Sequence, residues 1–310
     1  TMLCRVLWRS EVDPHWQQEA PLLPDRDDAD PLLARGDQNM YYRMYRYMMN
    51  GGDPVRDTFE AVKEAGMDFF ISYRMNDWHY FELESDSLLL DTFWLQHPQY
   101  RVGEFTEYYP FVDDWSEPRV ARLENYLRPE VRTHYCDLLD ELAGLYDLDG
   151  IELDFMRSPL YFPPSQREEG TQAMTEFVRS IRCLLDRHGA LRSKNLSLCV
   201  SVPSTLELCA KVGLDMVRWD EEQLIDQVRV SPGYLASFDL DLERFSDKLE
   251  HARIYGDLQG TWAVQKDMRG HRQTTPEIYE TGAFGFLKRG ADGIAFDNFT
   301  FTYPPFTETG

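Results

Sequence analysis

The sequence LDGIELDFMRSP, residues 148–159, carries two carboxylates inside an otherwise apolar segment. In a β-strand, residues i and i+2 face the same side, so Glu152 and Asp154 point together and Ile151 and Leu153 take the opposite face. The apolar pair would pack beneath helices, so both carboxylates would lie on the opposite face of the sheet and point into the barrel. Because an unpaired buried charge is costly, these two carboxylates must be ion-paired, protonated or used in chemistry.

Short apolar runs of this kind alternate with amphipathic helical stretches along the whole chain. Strands are predicted at residues 3–11, 67–77, 120–126, 148–157, 196–204, 225–232, 253–259 and 291–299. Eight strands that alternate with helices indicate an α/β fold, a single (β/α)8 TIM barrel that spans residues 1–310 as one catalytic domain. A doubly wound open sheet is the alternative, but WRSEVDP follows the first strand and no GxGxxG is present.

Two long insertions interrupt this pattern, at residues 12–54 after the first strand and at residues 78–119 after the second. Insertions after barrel strands rise above the carboxyl-terminal face, where active sites are built. Both insertions are rich in aromatic residues. These aromatics either form a wall of a binding cleft or bury the insertions against the barrel, because aromatic side chains dominate both environments.

Composition excludes several classes of function. The chain has 310 residues, of which 43% are hydrophobic, and a net charge of −22, so its surface repels nucleic acid and anionic membranes. It has no apolar run of about 18 residues, which predicts that no segment spans a membrane. The compartment, cytoplasm or periplasm, is left open, since a signal peptide could precede Thr1. The sequence leaves the oligomeric state open, and no cofactor is predicted.

Polar side chains recur where the predicted strands end, which is where barrel enzymes place catalytic groups. Besides Glu152 and Asp154, they are Arg74, Asn76, Asp77, His79, Glu124, Asn125, Arg157, Glu207, Tyr234, Asp257, Asp297 and Asn298. A structural ion-pair network explains two or three of them, but poorly explains polar residues at the same end of so many strands.

Carboxylates that face each other across a barrel mouth suit glycoside hydrolysis. One carboxylic acid protonates the leaving oxygen, and the other attacks the anomeric carbon or activates water. We expect Asp154 to be the nucleophile or base, with Glu207 or Asp257 as the acid and Glu152 as a third choice. The remaining strand-end residues would bind the sugar. The sequence has no GxSxG, HxH or HExxH, which disfavours serine and metal chemistry.

Four segments, among them RMND at residues 74–77 and DGIELDFMR at residues 149–157, resemble a bacterial family of family-10-like glycoside hydrolases. The others are VSVPSTLELCAKVGLDMVRW and RGADGIAFDNF, and the resemblance covers most of residues 53–299. It implies a TIM barrel that acts on a carbohydrate.

The chain departs from better-known barrel glycosidases in several places. Family 10 xylanases end the fourth strand with Asn-Glu, whereas this strand ends with Asp154, and their seventh-strand Glu has no clear counterpart. The chitinase motif DGxDxDxE would place its final Glu at Met156, which argues against chitinase chemistry. Other barrel glycosidases carry an Asp nucleophile on strand four, an arrangement that would make Glu207 a candidate acid. A non-catalytic carbohydrate-binding barrel and a metal-dependent sugar isomerase or lyase stay open as alternatives.

Overall fold

The computed structural model describes residues 8, 10–13, 43–44, 46–78, 81, 90–107, 120–233, 236–263 and 271–297. Within these residues, the centre of the fold is a parallel six-stranded sheet with the order β1-β2-β3-β4-β5-β8. Its strands are β1 (Phe70–Arg74), β2 (Gly150–Asp154), β3 (Ser197–Pro203), β4 (Gln227–Ser231), β5 (Arg253–Gln259) and β8 (Gly293–Asp297). The predicted strands at 67–77, 148–157, 196–204, 225–232, 253–259 and 291–299 are therefore confirmed, and the closed eight-stranded barrel stays a prediction.

The two faces of this sheet differ sharply in polarity. The register pairs Glu152 with Cys199 and Asp154 with Ser201, so polar residues of neighbouring strands share one face. The alternate residues are apolar, and Ile151 is fully buried against the helices. We call the polar face the inner face of the sheet. The alternation of apolar and polar residues in the sequence thus correctly predicts that Glu152 and Asp154 point together to this face.

Helices surround the sheet, and those at Arg167–Arg192, Leu206–Lys211, Leu242–Lys248 and Pro276–Lys288 contact its strands. The helices are α1 (Pro54–Glu64), α2 (Thr92–Gln96), α3 (Pro129–Leu145), α4 (Arg167–Arg192), α5 (Leu206–Lys211), α6 (Met216–Glu221), α7 (Leu242–Lys248) and α8 (Pro276–Lys288). Helices α3 and α4 pack against each other and present buried residues such as Leu138 and Phe177 to the core. Helix α1 begins at Pro54, and its N-cap Asp53 accepts a hydrogen bond from the Arg56 amide at 3.0 Å.

The predicted strand at residues 120–126 is wrong. Val120–Arg122 forms a 3-10 helix, and the segment makes an isolated bridge between Glu124 and Arg101. Val120, Leu123 and Tyr126 are buried, which is a spacing of three residues. That spacing suits a 3-10 turn and is incompatible with the period of two in a strand.

Three other regions bear on the sequence predictions. The predicted first strand at residues 3–11 falls largely outside the described residues. A short antiparallel hairpin, β6 (Thr261–Ala263) with β7 (His271–Gln273), follows β5 and was not predicted. In the described part of the second insertion, the ring of Trp94 stacks on Phe81 at 4.4 Å and both are buried. These two aromatic rings are therefore part of the buried packing of the insertion.

Candidate active site

Four carboxylates and one arginine lie on the inner face of the sheet. We call this group the inner-face cluster; its members are Glu152, Asp154, Arg229, Asp257 and Asp297. Asp154 is the last residue of β2 and Asp297 the last residue of β8, so part of the cluster lies at the carboxyl ends of the strands. Polar groups at that end of parallel strands are placed where α/β folds bind their ligands.

Arg229 on β4 is the centre of the cluster. Its Nε lies 3.0 Å from Glu152 Oε2, and its Nη1 lies 3.8 Å from Asp257 Oδ2 and 3.6 Å from Asp297 Oδ2. Its side chain is only 12% exposed, so these ion pairs are weakly screened by solvent. A single buried guanidinium therefore offsets the charge of several carboxylates.

Glu152 lies deeper than Asp154 on β2, and its hydrogen bonds are made within the protein. Its Oε1 accepts hydrogen bonds from Ser72 Oγ at 2.6 Å and from Arg229 Nη2 at 3.1 Å. The thiol of Cys199 donates to Oε2 at 3.6 Å. These contacts favour a role for Glu152 in holding Arg229 in place.

Asp257 is the most completely buried carboxylate of the cluster. Its Oδ2 accepts hydrogen bonds from Ser231 Oγ at 2.7 Å and Gln259 Nε2 at 2.8 Å. Gln259 also donates to Asp297 Oδ2 at 3.1 Å, which links the carboxylates of β5 and β8. Burial raises the pKa of Asp257 to about 6, although Arg229 and the two donors oppose the shift. A fraction of Asp257 therefore keeps its proton near neutral pH.

Asp154 lies beside this group at the end of β2. Its Oδ1 accepts a hydrogen bond from the Met156 amide at 2.8 Å, which orients the carboxyl group. Burial and the charge of Glu152 raise the pKa of Asp154, while Arg229 lowers it. The Met156 residue, which stands where a chitinase motif carries glutamate, thus contributes its backbone to the aspartate.

A second ion-pair group lies at the end of β1. Asp77 is fully buried, and its Oδ2 accepts a hydrogen bond from Arg74 Nη1 at 2.9 Å. Arg157 Nε lies 3.8 Å from the same oxygen. Arg74 is the register partner of Asp154, so this group adjoins the inner-face cluster. The three predicted substrate-binding residues Arg74, Asp77 and Arg157 are therefore brought together.

Glu124 belongs to a different buried group, which we call the Glu124 cluster; its members are Asp91, Glu124, His134 and Tyr135. The Tyr135 hydroxyl donates a hydrogen bond to Glu124 Oε2. His134 Nε2 lies 3.0 Å from Asp91 Oδ2, and its ring stacks on Phe93 at 4.1 Å. Burial, followed by the charge of Asp91, raises the pKa of Glu124 to about 7. Aromatic rings pack this cluster.

Several predicted site residues have other roles. Asn76 is buried, and its side chain bonds the backbone of Glu124 at 3.0 and 3.1 Å and Leu160 O at 2.7 Å. Asn125 is buried as well and accepts a hydrogen bond from the Leu127 amide. The polar groups of Asn76, Glu124 and Asn125 thus bond the protein itself, which disfavours the prediction that they line a sugar-binding surface.

Glu207 is not brought into the inner-face cluster. It lies in the first turn of α5, its side chain is 52% exposed, and it pairs with Arg244. This placement disfavours Glu207 as a partner acid for Asp154, and that role stays a prediction. The predicted residues His79, Tyr234 and Asn298 lie outside the described residues.

Sequence reasoning missed three inner-face residues: Ser201, Arg229 and Ser231. The signal was present, because VSVP and QVRVS alternate polar residues with buried valines. The same alternation identified Glu152 and Asp154. The described residues contain no group of three His, Cys, Asp or Glu side chains arranged to hold a metal ion. Nor does any helix among them combine the length and apolar character needed to cross a bilayer.

Comparison with known proteins gives only weak structural similarity. No protein-family model matches the chain, so the family-10-like resemblance gains no support there. No curated protein matches it. Among solved structures, the chain is similar to a glycoside hydrolase family 18 N-acetylglucosaminidase from Paenibacillus barengoltzii, at 16% identity and a TM-score of 0.35. It is also similar to the chitinase ChiW from Paenibacillus sp. str. FPU-7, at 14% identity and a TM-score of 0.42.

These matches are partial. The aligned region covers 44% of this chain and 46% of the N-acetylglucosaminidase, and 55% of this chain and 22% of the chitinase. The chain thus spans less than half the length of either enzyme. At such identities and TM-scores, the matches carry no argument about activity, which rests on the inner-face cluster alone.

Proposed function

We propose that the protein is a glycoside hydrolase that cleaves a poly- or oligosaccharide with two carboxyl groups of the inner-face cluster. The observation that supports this function most directly is that Asp154 and Asp257 lie on one polar sheet face and both interact with the charge of Arg229. Both have a raised pKa, mainly because they are buried. A carboxyl group that keeps its proton near neutral pH is what a general acid requires.

The two aspartates take different roles in this proposal. Asp154 lies at the strand end and acts as the nucleophile or base. Asp257 has a pKa of about 6 and donates the proton to the leaving oxygen. Arg229 limits the charge repulsion between them, and Glu152 holds Arg229 through its carboxylate. The site lies in a single barrel domain that spans residues 1–310.

Asp154→Asn tests this assignment. The change keeps the shape of the side chain and its acceptor for the Met156 amide but removes the ionisable group. We expect the wild-type protein to hydrolyse at least one member of a panel of polysaccharides and p-nitrophenyl glycosides. On that substrate, the variant should lose about a thousandfold or more in kcat/KM, because loss of a nucleophile or base removes several kcal/mol of transition-state stabilisation. Unchanged activity in a folded Asp154→Asn variant would exclude the assignment.

A carbohydrate-binding barrel without activity is the second candidate. It is favoured by the hydrogen bonds and ion pairs that already occupy Asp257 Oδ2, a pattern that structural networks share. Calorimetric titration of the wild-type protein with oligosaccharides of the same panel separates the two. Binding without hydrolysis of any member would replace the hydrolase proposal with this one.

A further inference from the structure

Ser201 on β3 has a buried hydroxyl that is left without a hydrogen bond. Its side chain is 0% exposed, and no partner for Oγ exists among the described residues. The register pairs Ser201 with Asp154 on one side and with Arg229 on the other. Residues paired in this way in parallel strands point to the same face. The unbonded hydroxyl therefore lies on the inner face, between the proposed nucleophile and the central arginine.

A second unbonded polar atom lies on the same face. Asp257 is 0% exposed, and within the described part of the chain its Oδ1 has no hydrogen-bond partner, although its Oδ2 has two. A buried polar atom without a partner costs about 1–3 kcal/mol, and folded proteins rarely leave such atoms unbonded. Two of them on one polar face, next to Asp154 and Arg229, indicate a place for a molecule with hydroxyl groups.

We propose that Ser201 is a substrate-binding residue, whose hydroxyl hydrogen-bonds a hydroxyl group of the sugar unit beside Asp154. This inference rests on the proposed hydrolase function and adds a residue to it. Serine both donates and accepts, so it can accept from a sugar hydroxyl or donate to its oxygen.

Ser201→Ala tests the proposal because substrate binding and structural support predict opposite results. The change removes only the unbonded hydroxyl, so the thermal unfolding midpoint of the free protein should not fall. On the p-nitrophenyl glycoside that the wild-type protein hydrolyses, kcat/KM should fall about tenfold, the effect of one lost hydrogen bond. Ser201→Thr, which keeps a hydroxyl, should restore part of the loss.

Ser231→Ala is the matched control for stability. Ser231 is also a buried serine near the end of its strand, but its Oγ donates to Asp257 Oδ2 and accepts from the Gly233 amide at 3.3 Å. The unfolding midpoint of Ser231→Ala should therefore be lower than that of the wild type, whereas the midpoint of Ser201→Ala should not be. A lower midpoint together with unchanged kcat/KM in Ser201→Ala would mean that the hydroxyl binds a structural water, and the inference would be wrong.

The failure of this inference differs from the failure of the proposed function. If the wild-type protein hydrolyses a p-nitrophenyl glycoside and Ser201→Ala hydrolyses it equally well, only the role of Ser201 is excluded. If the wild-type protein hydrolyses no member of the panel, the hydrolase proposal itself is excluded, and the role of Ser201 with it.

Discussion

The inner-face cluster and the Glu124 cluster both bury carboxylates, but they deal with the charge in different ways. In the inner-face cluster, Arg229 forms ion pairs with three carboxylates. In the Glu124 cluster, the Tyr135 hydroxyl is the closest partner of Glu124, and the pKa of Glu124 rises to about 7. In the inner-face cluster, a buried cation opposes the rise that burial causes in the carboxyl pKa, and the pKa of Asp257 reaches about 6. In the Glu124 cluster, the charge of Asp91 adds to the effect of burial, and the pKa of Glu124 reaches about 7.

The two clusters also differ in whether they contain or adjoin buried polar atoms without a hydrogen bond. The Glu124 cluster is enclosed by aromatic rings, and Asn76 bonds the backbone of Glu124 on both sides. The inner-face cluster includes Asp257 with an unbonded oxygen and adjoins the unbonded hydroxyl of Ser201, as counted over the described residues. A buried acid with a raised pKa is therefore a weak sign of chemistry on its own. Unbonded polar atoms on the inner face are the stronger sign.

Replacement of Arg229 should have the largest effect on stability. Arg229→Met keeps much of the side-chain volume but leaves Glu152, Asp257 and Asp297 without their shared cation. We expect the free energy of unfolding to fall by about 3–5 kcal/mol at pH 8, as when one partner of a buried ion pair is removed. Urea unfolding measures this change, and the loss should shrink at pH 5, where protonation removes the excess negative charge.

Arg244→Met is the matched control. Arg244 also pairs with a glutamate, Glu207, but both side chains are about half exposed. Exposed ion pairs contribute about 0–1 kcal/mol, so this variant should be nearly as stable as the wild type. A loss below 1 kcal/mol in Arg229→Met would show that Arg229 is not the group that holds the inner-face cluster together.

The sequence predicted the polar face of the sheet well but could not rank its residues. Alternation along β2 gave the direction of Glu152 and Asp154 because a strand has a period of two. It could not separate Glu124 from Asp257, since each is a carboxylate near apolar residues and only tertiary packing supplies the neighbours. The segment around Glu124 was misassigned because an apolar run this short is too brief for its periodicity to separate a strand from a helical turn.

Replacement of Glu124 should have a smaller effect that depends on pH. The pKa of Glu124 is raised in the folded protein from an ordinary value of 4.5 to about 7, so the folded state binds the proton more tightly than the unfolded state. Wild-type stability should therefore decrease as the pH rises from about 4.5 to 7. Glu124→Gln cannot ionise, so between pH 4.5 and 8 it should gain up to roughly 3 kcal/mol relative to the wild type.

Chemical unfolding of both proteins at several pH values measures this difference. His134 also titrates in this cluster: burial lowers its pKa, but the hydrogen bond and charge of Asp91 outweigh burial and raise it. Because the pKa of His134 is raised in the folded protein, its contribution to stability also decreases as the pH rises. The wild type and Glu124→Gln both contain His134, so the difference between their stability curves reports on Glu124. Parallel stability curves for the two proteins would mean that Glu124 is ionised in the folded state.

Replacement of Glu207 should have the smallest effect. Glu207→Gln removes a half-exposed ion pair with Arg244, so the free energy of unfolding should change by less than about 1 kcal/mol. Its kcat/KM on the identified glycoside should stay within about twofold of the wild type, because the structure places no member of the inner-face cluster in contact with it. Steady-state kinetics of Glu207→Gln beside Asp154→Asn tests this. A loss in Glu207→Gln as large as that in Asp154→Asn would instead make Glu207 the acid, and Asp257 would become a structural partner of Arg229.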